Sequence, residues 1–144
     1  MEYGQRNTWS TLIASVLGCL AYAAIIASRL RSTPAAEIEW VAPMLWTMGA
    51  AIIVSIVGSI ALGVIAGMRD PEVGHTADVR DRDISRLGDR VGQTFLVLGM
   101  IGALVLCAVT AEVFWIANTI YAGLALGTIV GSVARVAAYR GGMR

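Results

Sequence analysis

The chain has 144 residues, 57% of them hydrophobic, with a mean hydropathy of +0.71, well above the roughly 45–50% apolar content of soluble domains. Eleven arginines, with no lysine, nearly cancel ten acids, so no net field draws the chain to nucleic acid, and direct nucleic-acid binding is not expected. The length leaves no room for a second domain beside the apolar segments, and Cys19 and Cys107 form no C-x-x-C redox motif.

The first apolar run covers residues 11–28. Val16-Leu17-Gly18-Cys19 loosely resembles a lipoprotein cleavage box and Ala21-Tyr22-Ala23 a signal-peptidase site, yet the run stays apolar through Ile26. A retained membrane helix is therefore expected. Three further runs, at about 44–67, 91–110 and 115–136, are each close to the ~20 apolar residues that cross a bilayer. None carries a charge in its central stretch, and in hydrocarbon only a helix satisfies the backbone of such a run. The expected fold is an all-α, four-helix transmembrane bundle in a single domain, which two tandem hairpins could build.

Arginine placement orients the bundle. Arg6, Arg69, Arg80, Arg82, Arg86, Arg90, Arg135, Arg140 and Arg144 fall on one side and only Arg29 and Arg31 on the other. The positive-inside rule then puts both termini and the central loop, residues 69–90, in the cytoplasm. The outer connections are short and acidic, with Glu37, Glu39 and Glu112. The second is so short that helices three and four must be antiparallel neighbours. Glu37-Ile38-Glu39-Trp40-Val41-Ala42 matches Glu112-Val113-Phe114-Trp115-Ile116-Ala117 at an offset of 75, and Ile56–Ala61 matches Ile129–Ala134 at 73. The two offsets differ by about 200° of helix rotation, so both cannot be in structural register.

Small residues mark close helix packing. The fourth helix has Gly123, Gly127 and Gly131 at four-residue spacing, extended by Thr119 and Arg135; the second has Ala51, Ser55, Ser59, Gly63 and Gly67. Such stripes let backbones approach, within one chain or across a homodimer seam. The charged run from Asp78 to Arg90 follows the helix-start residues Pro71, Gly74 and Thr76. Asp78 with Arg82, Arg80 with Asp83, Asp83 with Arg86, and Arg86 with Asp89 are spaced to pair along a helix, while Ile84, Leu87 and Val91 form an apolar edge leading into the third span. Asp78, Arg80, Asp81, Arg82, Asp83 and Arg86 thus make either a solvated face or a surface for a cytoplasmic partner. Near the outer end of the fourth helix, Glu112 and Asn118 are the candidates for a polar membrane site. As a boundary acid and an interhelical hydrogen-bonding group they have a plainer reading. His75 is the sole histidine, and no His–Cys–acid cluster offers a zinc site, so neither metal nor cofactor is expected.

The run ending Ile84, Arg86, Gly88, Asp89-Arg90-Val91-Gly92, together with Phe114-Trp115-Ile116-Ala117-Asn118 and Ala138-Tyr139-Arg140, resembles a family of small bacterial and archaeal membrane proteins of unknown function. The resemblance covers about the second half of the chain and implies the four-helix topology without an activity. It also implies a bacterial or archaeal plasma membrane as the location and a membrane partner for a small helix-turn-helix regulator. Combined with the residues, the reading is a non-enzymatic scaffold or sensor docking a cytoplasmic regulatory protein. A small homo-oligomeric transporter or channel is the alternative, although the spans lack the embedded acid of four-helix multidrug exporters.

Overall fold

The computed structural model describes residues 3–69 and 79–141, with side chains at 8–65 and 81–141. Within them lie four α-helices, α1 (Tyr3–Leu30), α2 (Val41–Arg69), α3 (Val79–Ala108) and α4 (Val113–Gly141), and a short 3₁₀ turn at Ala35–Glu37. Each helix contains a stretch long and apolar enough to cross a membrane: Thr8–Leu30, Val41–Ile65, Asp81–Ala108 and Val113–Gly141. The protein is an all-α, multi-pass membrane bundle. Asp78, His75 and the loop residues Pro71, Gly74 and Thr76 lie outside the described residues, as does the side chain of Arg80.

The helices run past the apolar stretches that mark them in the sequence. α3 begins at Val79, so the charged run continues the third span as one helix, in keeping with its i,i+3 and i,i+4 charge spacing and apolar edge; hydropathy locates the lipid and not the helix end. Nothing between residues 79 and 90 breaks a helix, the single Gly88 being tolerated. α3 ends at Ala108, two residues short of the expected Thr110. There Ala111 N–H donates to Leu106 O at 2.9 Å and Thr110 N–H to Cys107 O at 3.0 Å. That pattern needs a left-handed residue after the helix, and Thr110 supplies it at φ 53°. α2 carries Pro43 in its first turn, where the missing N–H is an orphan in any case.

Packing follows the order α2–α1–α4–α3: α1 pairs with α2, α3 pairs most extensively with α4, and α1 joins the hairpins by lying against α4. Among the described residues no extended contact links α2 to α3, so the bundle is open on that side. The α3–α4 seam is a reciprocal glycine contact. A Cβ added to Gly127 would lie 2.7 Å from Gly92 O, one on Gly131 2.7 Å from Gly88 O, and one on Gly123 2.7 Å from Gly99 Cα. The glycine stripe of α4 is therefore filled by its own chain, which removes it as a dimer seam.

The α2 stripe faces α1 by the same device. A Cβ on Gly18 would meet Ala51 Cβ at 3.0 Å and Thr47 O at 3.4 Å, and Thr11 and Ser55 share a hydroxyl hydrogen bond of 3.1 Å. Ser59 and Gly63 are half-buried, and Ser59 Oγ bonds to Ser55 O at 2.7 Å. In the second hairpin Gly99 meets Thr119 O and Gly123 in the same way. Packing equivalence thus relates Ala51 to Gly123 and Gly18 to Gly99, offsets of 72 and 81. Neither sequence match, at 75 or at 73, marks these equivalent positions.

Candidate functional site

The arginine-rich end of the α3–α4 hairpin carries the described part of the charged run. Asp81, Ile84 and Gly88 recur every three or four residues, so they share one face of α3. That face is turned onto α4. Tyr139 Oη donates to Asp81 Oδ1 at 2.9 Å, the Arg135 guanidinium donates to Asp89, and Gly88 sits against Gly131 O and the stem of Arg135. Ile84, between them, is fully buried. A small apolar contact with a hydrogen bond on one side and an ion pair on the other thus clamps the extension to α4. Arg135 is 27% exposed and Asp89 58%, so water screens the pair and its own contribution is about 0–1 kcal/mol.

This arrangement changes the expected pairing. Asp89 turns to Arg135 on the neighbouring helix instead of to Arg86, since an interhelical partner on the buried side competes with the exposed one along α3. Asp81 is likewise taken up by Tyr139, which removes it from the outward surface. Asp83 and Arg86 do pair, at 3.5 Å with both side chains largely exposed. The free face consists of Arg82, Asp83, Ser85, Arg86 and Arg90, with Leu87 partly exposed among them. Close by, the Arg140 guanidinium lies 5.6 Å from the ring centroid of Trp9, tying the start of α1 to the end of α4.

The opposite end holds the apolar core of Tyr22, Ile26, Ile38, Met44 and Phe114, with Trp40 and Tyr121 packed on it. Tyr22 Oη donates to Asn118 Oδ1 at 2.8 Å, and Asn118 Nδ2 donates to Phe114 O at 2.8 Å. Asn118 is therefore a satisfied link between α1 and α4. Glu112 is exposed, and its carbonyl accepts from Trp115 N–H and Ile116 N–H, so it caps the start of α4. A carboxylate there is favoured by the helix dipole. The two residues are far apart in role, and they build no joint site.

Sequence reasoning missed the α3 half of the glycine seam and the partners of Asp81 and Asp89. Gly88-x-x-x-Gly92 followed by Gly99 was a usable signal, because seven residues return a helix to the same face. Arg135 and Tyr139 continue the four-residue stripe of Gly123, Gly127 and Gly131, but which residues of α3 they meet had no signal, since a cross-helix partner depends on the height at which two helices meet. Among the described residues no cluster of metal-ligating side chains occurs. Comparison of the chain with protein-family models, curated proteins and solved structures gives no match.

Proposed function

We propose that the protein is a non-enzymatic scaffold or sensor of a bacterial or archaeal plasma membrane, akin to the small four-helix family its second half resembles. Both termini and the charged run lie in the cytoplasm, where the outward face of α3 docks a regulatory protein. The observation that carries this reading is the clamp. The extension is continuous with a membrane helix, Ile84 is fully buried, and Tyr139 and Arg135 hold its inner side. Arg82, Asp83 and Arg86 are thereby presented in fixed order on a rigid support. A partner meeting a preformed surface avoids the cost of ordering it, and alternating signs favour one register of docking over others.

Exchanging the signs of the exposed pair tests the reading. Asp83→Arg with Arg86→Asp keeps the number of arginines, and hence the orienting signal, while inverting the surface pattern. Pull-down of cross-linked neighbours from membranes should lose the cytoplasmic partner with the exchanged pair and keep it with Asp83→Asn. Reporter fusions at Gly74 and Arg144 should read cytoplasmic in both variants. Identical neighbour profiles for wild type and the exchanged pair would overturn the reading.

A further inference from the structure

The open side of the bundle is a trough. One cavity of about 230 Å³ lies between α1, α2 and α4, and a second of about 280 Å³ lies between α3 and α4. They adjoin, since Thr11, Leu124 and Thr128 line both. From Arg135 at one end to Tyr121 at the other the trough follows α4 for fourteen residues, or about 21 Å at 1.5 Å per residue. Its chemistry is graded along that length. Asp89, Gln93 and Arg135 stand at the arginine-rich end, whereas Met48, Ile52 and Ala125 line the far half.

Two polar groups at the charged end are unpaired. Gln93 is exposed on the trough wall, three residues beyond Arg90, and has no hydrogen-bond partner among the described residues. Arg135 Nε is buried against Gly88 with no partner among the described residues, while its Nη2 reaches Asp89 at the mouth. An amide at the edge of the span with no partner in the chain is free to donate to a lipid head group. The mouth has no net charge, because Asp89 balances Arg135, and it does not attract a simple anion. A dipolar head gains on both members, its phosphate on the guanidinium and amide, its ammonium on the carboxylate.

We propose that the trough binds one phospholipid with a zwitterionic phosphoethanolamine head, the head at Gln93, Asp89 and Arg135 and an acyl chain along α4 towards Tyr121. The site is independent of the docking face of α3, whose exposed residues it does not use. Thr128 stands where the two cavities meet, exposed, with its hydroxyl bonded to Leu124 O of its own helix. A phenylalanine there blocks the trough without disturbing the helix pairs.

The test is native mass spectrometry of protein released from nanodiscs of equal phosphatidylethanolamine and phosphatidylglycerol. Wild type should retain one phospholipid per chain, enriched in phosphatidylethanolamine by about tenfold, a difference of about 1.4 kcal/mol. Thr128→Phe should lose the retained lipid. Gln93→Leu should keep a lipid in the apolar trough but lose the head preference, so it reads the site even if the phenylalanine variant fails to fold. Retained lipid that mirrors the bulk mixture in wild type, or equal retention by a well-folded Thr128→Phe, would overturn the proposal.

Discussion

The glycine seam between α3 and α4 is open to a quantitative test with Gly127→Ala. The added Cβ would lie 2.7 Å from Gly92 O and 3.5 Å from Gly92 C, both backbone atoms of a helix that cannot step aside locally. Ordinary C···O contacts lie at about 3.3–3.6 Å, so the helices must separate by roughly 0.6–0.9 Å. A radial gap of ~0.5–1 Å forfeits a quarter to a half of each dispersion contact. The neighbouring approaches at Gly123–Gly99 and Gly131–Gly88 loosen with it. Overpacking of this kind costs about 1–3 kcal/mol, against a gain of up to ~1 kcal/mol from the better helix propensity of alanine. The net effect is a loss of up to about 2 kcal/mol, or up to roughly 8 °C in apparent Tm for a chain of this size. The internal control is Gly49→Ala, where nothing lies within 4 Å of the new Cβ and only the propensity gain remains. Thermal unfolding in a mild detergent, followed by tryptophan fluorescence, compares the two. If Gly127→Ala melts at or above wild type while Gly49→Ala is unchanged or raised, the seam is not held by close backbone contact.

Two further outcomes follow from local geometry. Ile84→Ala should cost about 2–4 kcal/mol of local stability, read as faster hydrogen exchange over residues 79–90, whereas Leu87→Ala on the exposed side should leave that exchange nearly unchanged; equal effects would mean that the extension is not clamped. Thr110→Gly should stabilise the turn after α3 by about 1–2 kcal/mol, because a β-branched residue there holds a left-handed conformation that glycine adopts freely, and a fall in melting temperature would refute that account.

Much of the fold was legible because a bilayer demands it. Four runs without central charge can only be helices, and a four-residue outer turn can only join antiparallel neighbours. What the sequence withheld was relative height and rotation. Asp81 pairs with Tyr139 across 58 residues and Asp89 with Arg135 across 46, and neither separation has a local signature. The spacing of Arg86 and Asp89 pointed to a pair along one helix, and it lost to a partner on the next. The open edge between α2 and α3 was equally hidden, since nothing in the hydropathy of α2 distinguishes a face against lipid from one against protein. Gln93 shows the limit most clearly: it follows Asp89 by one helical turn, but its place beside Arg135 appears only once α3 and α4 are set side by side.

The central claim, that the outward face of α3 is a docking surface, is tested most directly by a photoreactive residue at Ser85, which is exposed between Asp83 and Arg86. A matched probe at Leu98, exposed on the membrane-spanning part of the same helix, serves as reference. Irradiation of intact cells should give a discrete adduct with a cytoplasmic protein at Ser85 and none of that mass at Leu98. The adduct should disappear in the Asp83→Arg, Arg86→Asp background. An adduct at Ser85 that survives the sign exchange, or none at all, would contradict the account.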